Sequence, residues 1–112
     1  MSPPLTGLRA WLLQRITAVY LALFLVYFTG HLLLAPPAGY AQWRVWIGST
    51  GMFLSVCLFF AALLLHAWVG IRDVVLDYVK PAGLRLVVLS LVGICLAAQG
   101  FWALRVLLEA AS

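Results

Sequence analysis

The sequence predicts an all-α fold, an integral membrane bundle of three transmembrane helices with a cytoplasmic N-terminus. Three observations predict it. The 112 residues are 66% hydrophobic and 9% charged, where a soluble domain carries about 25% charge, and the mean hydropathy is +1.12. Three apolar stretches, separated by proline and glycine, each reach the roughly 20 residues needed to cross a hydrocarbon core of ~30 Å. The basic residues are shared unevenly between the two ends of those stretches, which orients the chain.

Residues 1–8 read as a short leader that Pro3 and Pro4 keep from being helical. The first span covers about residues 11–34, with Trp11 and Arg15 where an interfacial aromatic and a headgroup-seeking cation belong. Arg9 and Arg15 ahead of an apolar run resemble a secretory signal. The run continues from Ile16 to about Leu34, beyond the roughly 7–15 residues of a signal core. Pro36-Pro37 is also a poor cleavage context. An uncleaved first span is expected. Pro36, Pro37 and Gly39 then break the helix, and Tyr40, Trp43 and Trp46 form an aromatic belt at the second interface.

The second span covers about residues 47–71 and has room to continue as helix to Tyr78. Lys80 precedes Pro81, which disfavours helical backbone and ends the helix there. Gly83 reads as a second breaker. The third span covers about residues 84–108, with Arg85 at one end and Arg105 and Glu109 at the other. The whole chain, 1–112, reads as one membrane domain with no room for a soluble one.

Arg9, Arg15, Arg72, Lys80 and Arg85 fall on the side of the N-terminus, and Arg44 and Arg105 on the other. Five against two places the N-terminus and the connection between spans two and three in the cytoplasm, and the C-terminus outside. The net charge of +4 is accounted for by this orientation. No basic stripe with interleaved aromatics points to nucleic acid. Cys57 and Cys95 lie in different spans, without the close spacing of a metal or redox pair, and read as small apolar filler.

The stretch from His66 to Pro81, HAWVGIRDVVLDYVKP, holds the densest polar cluster. His66 lies about five residues, roughly 8 Å of helix rise, inside the cytoplasmic end of span two. An ionisable group there costs a few kcal/mol and is a functional candidate. From the residues alone it is read either as a neutral histidine hydrogen-bonded to a neighbouring helix or as a metal or haem ligand. Ala62 and Gly70 share its face. Small residues there admit a flat macrocycle, and equally suit helix–helix packing. His31 lies some 20 residues along span one, roughly 30 Å from its cytoplasmic end. His31 and His66 therefore cannot meet at one iron, and a six-coordinate haem needs a ligand from another polypeptide. His31 reads as an outer interfacial residue.

Arg72, Asp73, Asp77, Tyr78 and Lys80 read as a solvated connection, with Asp77 and Lys80 one turn apart, or as a small-molecule site at the membrane surface. A tyrosine hydroxyl donates to a carbonyl oxygen and a carboxylate relays protons. Quinone reduction needs both capacities. Arg15, at the same depth, is read as snorkelling to the headgroups or as pairing with a haem propionate or a quinone oxygen. Trp68 points away from the face of His66, toward lipid or a partner. Gln14, Thr17 and Gln99 are polar bridges between helices.

HAWVG at His66–Gly70 begins eleven residues before DYVKP at Asp77–Pro81. This block resembles the hydrophobic membrane-anchor chain of bacterial succinate dehydrogenase (succinate:quinone oxidoreductase). RITA at Arg15–Ala18, WIG at Trp46–Gly48, the three-span plan and the length match the same family. The resemblance implies a heterotetramer in the bacterial inner membrane, with the C-terminus periplasmic. A flavoprotein oxidises succinate, an iron–sulfur protein carries the electrons, and two membrane chains anchor both. The second of these chains is a cytochrome b556-type sister anchor. The resemblance further implies a shared haem b with His66 as one axial ligand, ubiquinone hydrogen-bonded by Tyr78 next to Asp77, and Arg15 near the haem propionates or quinone. The chain is not catalytic alone. The alternatives are a haem-less or fumarate-reductase-type anchor in which His66 is structural, and a small helical transporter. A transporter would want carboxylates or a polar stripe within the spans, and none lies between the span ends.

Overall fold

The computed structural model describes residues 4–112. These form four helices, α1 (Pro4–Leu34), α2 (Tyr40–Gly48), α3 (Thr50–Tyr78) and α4 (Ala82–Ala111). Three of them, α1, α3 and α4, are long and apolar enough to cross a membrane. The all-α, three-span expectation holds.

The expected leader is corrected where it is described. α1 begins at Pro4, because proline in a first turn lacks only an N–H that has no helical partner anyway; Pro3 lies outside the described residues. α1 ends as the Ala35 N–H reaches the His31 carbonyl at 2.8 Å, just ahead of Pro36 and Pro37.

The aromatic belt is a helix of its own. Gln42, in the first turn of α2, accepts a hydrogen bond from the Ala38 N–H at 2.7 Å through Oε1, which satisfies a donor just before the helix. Ser49 is the single extended residue between α2 and α3. Its hydroxyl donates to the Trp46 carbonyl at 2.7 Å, and its own carbonyl accepts from the Phe53 N–H at 2.7 Å. Ile47 and Gly48, expected to open span two, therefore close α2.

α3 is unbroken to Tyr78 and stops there, as Lys80 before Pro81 requires. Val79 caps it, its N–H bonded to the Val75 carbonyl at 2.9 Å. Gly83 is not a breaker. It lies in the first turn of α4, whose start Pro81 caps, with its carbonyl accepting from the Arg85 N–H at 2.9 Å.

α3 packs along α1 on one side and along α4 on the other, and the backbones of α1 and α4 do not meet among the described residues. α2 lies across α3 and α4 at one end. The core gathers at that end around Phe24, Ile47, Met52, Val56 and Leu107, flanked by Phe28, Trp43, Trp46 and Phe59. Phe24 and Phe59 join α1 to α3 with centroids 4.7 Å apart, and the Tyr20 hydroxyl donates to the Ser55 carbonyl at 2.7 Å. Between membrane helices, where lipid is as apolar as leucine, van der Waals fit and such bonds drive association, each bond contributing about 0.6–2 kcal/mol.

Two arginines close helix ends. Arg44 of α2 donates through Nη2 to the Glu109 and Ser112 carbonyls of the α4 terminus at 3.0 and 2.7 Å. Arg85 of α4 donates to the Val79 carbonyl at 2.9 Å and the Leu76 carbonyl at 3.1 Å, at the end of α3. Both place a cation against carbonyls at a helix C-terminus, where the helix dipole favours it.

Candidate functional site

The α1–α3 seam away from the aromatic core carries the polar residues. Thr17 is the buried polar side chain of the described residues, 5% exposed. Its Oγ1 lies 2.7 Å from the Leu13 carbonyl, 3.1 Å from the Gln14 carbonyl and 3.0 Å from Nδ1 of His66. A helical threonine returns its hydroxyl to the preceding turn. What is particular here is the third group, brought in from α3.

His66 is half-buried. Nδ1 meets Thr17, and Nε2 has no hydrogen-bond partner among the described residues. Ala62, one turn away, is buried. Gly70, one turn the other way, faces Gln14: a Cβ there would sit 3.3 Å from Gln14 Nε2. This face of α3 is thus turned to α1 at the level of Gly70, where the missing Cβ admits the Gln14 amide. Gln14 Oε1 is buried without a partner among the described residues.

Arg15 is exposed, its guanidinium 5.4 Å from the Trp11 ring centroid. It is close in depth to Thr17 but turned to another side of α1, two residues being about 200° of helix. The chain alone does not bring Arg15 to His66. Trp68 packs inside the chain, not only outward: a Cβ on Gly93 of α4 would meet its ring at 3.7 Å.

Asp77 and Tyr78 end α3 and are exposed, Tyr78 at 80%. Among the described residues the side chains of Asp73, Asp77, Tyr78 and Lys80 make no hydrogen bond, and the ion pair is Arg105–Glu109. The balance expected between Asp77 and Lys80 does not form, because the helix that would align them stops at Tyr78. His31 is far from this end. Fourteen residues of α1 separate it from Thr17, about 21 Å of rise, and it stacks on Trp46.

Among the described residues no three His, Cys, Asp or Glu come together to hold a metal ion. A bare zinc or iron ion, which needs three or four protein ligands, does not fit. A haem brings its own four nitrogens and asks the protein for one or two axial ligands. A lone imidazole with Nε2 unengaged fits one axial position.

Thr17, expected as a bridge between helices, is one, with His66 as the partner that the sequence did not name. Arg85 as a specific contact was missed; its signal was a cation shortly after a helix end.

A family profile described as "Succinate dehydrogenase/Fumarate reductase transmembrane subunit" matches residues 1–104. The chain is also similar to the "Succinate dehydrogenase hydrophobic membrane anchor subunit" of Coxiella burnetii (strain RSA 493 / Nine Mile phase I). The two are 33% identical over 101 residues, covering 90% of this chain and 88% of the relative.

Proposed function

Because the chain belongs to the succinate dehydrogenase/fumarate reductase transmembrane subunit family, we propose that it anchors the flavoprotein and iron–sulfur subunits, shares a haem b and helps form a ubiquinone site. It is a multi-pass membrane anchor, non-catalytic by itself. The observation that carries the finer reading is the continuity of α3 from His66 to Tyr78. One helix holds an imidazole with a free nitrogen and, about 18 Å further along, an exposed phenol beside an exposed carboxylate.

His66 would hold the haem from this chain, and a cytochrome b556-type sister anchor would supply the other axial ligand. When bound, the haem supplies a one-electron relay beside the quinone. Tyr78 donates its hydroxyl proton in a hydrogen bond to one carbonyl oxygen of ubiquinone. Succinate oxidation releases two electrons and two protons, and ubiquinone takes up two of each to become ubiquinol. Asp77, exposed at the helix end, passes protons from water toward the oxygens that Tyr78 orients. Arg15, on the outer side of α1 at the depth of His66, would meet a haem propionate or the quinone once the sister chain is in place. Five basic residues on the side of Tyr78, against two on the other, support a cytoplasmic quinone site in a bacterial inner membrane, where a soluble iron–sulfur protein docks.

The test is the assembled complex carrying His66→Ala. Its reduced-minus-oxidised spectrum is expected to lose or alter the haem b bands. Unchanged haem b bands would overturn the ligand assignment and make His66 structural, whereas an unaltered complex without those bands would be the haem-less type of anchor.

A further inference from the structure

We propose that Thr17 is a positioning residue for His66: its hydroxyl oxygen accepts the Nδ1–H and holds the imidazole in the tautomer whose Nε2 keeps a free lone pair. The inference rests on the haem-ligand reading of His66 and concerns this chain's own residues.

The argument is a count of protons. Thr17 Oγ1 carries one. Three groups surround it: the Leu13 carbonyl at 2.7 Å, the Gln14 carbonyl at 3.1 Å and His66 Nδ1 at 3.0 Å. The two carbonyls only accept. The shortest contact is the one a threonine in a helix ordinarily makes, to the carbonyl four residues back. The hydroxyl proton goes there, leaving lone pairs facing α3. Nδ1 at 3.0 Å is then a donor, since two lone pairs that close would repel. A neutral imidazole has one N–H, so Nε2 is bare, as ligation requires.

Burial sharpens this. Thr17 is 5% exposed, so bulk water does not compete for its hydroxyl. Its branched Cβ restricts the hydroxyl to few orientations. One turn away Gly70 lets the Gln14 amide approach, which keeps α1 close to α3 at this level. A hydrogen bond from the remote ring nitrogen makes an imidazole a stronger donor to a metal and fixes its orientation. A stronger donor favours the ferric state, so Thr17 lowers the haem potential.

The experiment uses the complete complex with Thr17→Val, close in shape but without the hydroxyl, and Thr17→Ser, which keeps it. The readouts are haem b absorbance, the ferric electron paramagnetic resonance spectrum and the midpoint potential. With Thr17→Val the potential is expected to move positive and the ferric lines to shift, while Thr17→Ser restores both toward the unaltered complex. Unchanged lines and potential in haem-loaded Thr17→Val overturn the proposal. So does an equal shift in Thr17→Ser, which would make the methyl group responsible. Should Thr17→Val assemble without haem, Thr17→Ser decides: retained haem with the original signals supports the hydroxyl, and loss overturns it. Failure of the ligand reading itself looks different. An unaltered complex without haem b, or a His66→Ala complex with unchanged haem signals, removes that reading and this proposal together.

Discussion

His31 lies flat on Trp46, with ring centroids 4.2 Å apart and planes 12° from parallel. Tyr27 approaches from the side at 6.1 Å, and Nδ1 of His31 is buried with no partner among the described residues. The histidine serves as an aromatic plate that joins α1 to α2. His31→Phe keeps the plate and removes an unpaired polar atom. The thermal midpoint of the detergent-solubilised complex is expected to stay or rise slightly, with haem b bands unchanged. His31→Ala loses the stacking, a cost of about 0.5–1.5 kcal/mol. Altered haem bands in His31→Phe would contradict the separation of the two histidines.

Tyr78 is 80% exposed and its hydroxyl has no hydrogen-bond partner among the described residues, so it is available to a ligand and contributes little to the fold. With Tyr78→Phe, quinone reduction by succinate is expected to fall about tenfold or more, in line with 1.5–3 kcal/mol for a bond to a group gaining charge. Reduction of a soluble dye by the flavoprotein and iron–sulfur subunits should continue. If both activities are unaffected, Tyr78 is not at the quinone.

Arg85 holds the last turn of α3 by two carbonyls, and Asp77 and Tyr78 emerge from that turn. Arg85→Ala is expected to lower stability by about 1–3 kcal/mol and to reduce quinone turnover with it. Arg85→Lys should recover only part, because an ammonium is a point donor and lacks the fork that spans two carbonyls. Melting curves and quinone reductase rates check both.

Two glycines separate a rigid neighbour from a pliant one. A Cβ on Gly48 would sit 2.8 Å from the Ala110 carbonyl oxygen, in backbone. Gly48→Ala must push α2 off α4, at about 1–3 kcal/mol. A Cβ on Gly100 would also meet an atom at 2.8 Å, but that atom is Cδ1 of Leu64, the end of a side chain that can rotate away. Alanine also gains about 0.8–1 kcal/mol of helix propensity over glycine. Gly100→Ala should therefore be close to neutral in the same melting assay.

The spans were legible in the sequence because membrane crossing depends on length and apolarity, both local properties. His66 was legible for the same reason, since an imidazole in an apolar run costs energy and calls for an explanation. α2 was not. Its three aromatics satisfy an interface whether helical or not, and nothing local marks the break at Ser49. Pro4 and Gly83 were misread because a breaker in mid-helix is harmless in a first turn. The Thr17–His66 contact spans 49 positions and exists only once α1 and α3 pair in one register. Threonine in a span ordinarily bonds its own backbone, so its type suggested a bridge between helices without naming the partner.

The row order α1, α3, α4 leaves the chain with little interior of its own: among the described residues no side chain is fully enclosed, and the thirty residues of α4 bury Ala103 and Leu107 alone. Tolerance to substitution should then divide by cause. Positions in the α1–α3 seam and under α2 are constrained by this chain's own packing. Any intolerant position on the open faces of α4 is constrained by whatever lies beyond it. A saturation scan of this small protein would trace the outline of its neighbours, and the silent positions would mark where it meets lipid.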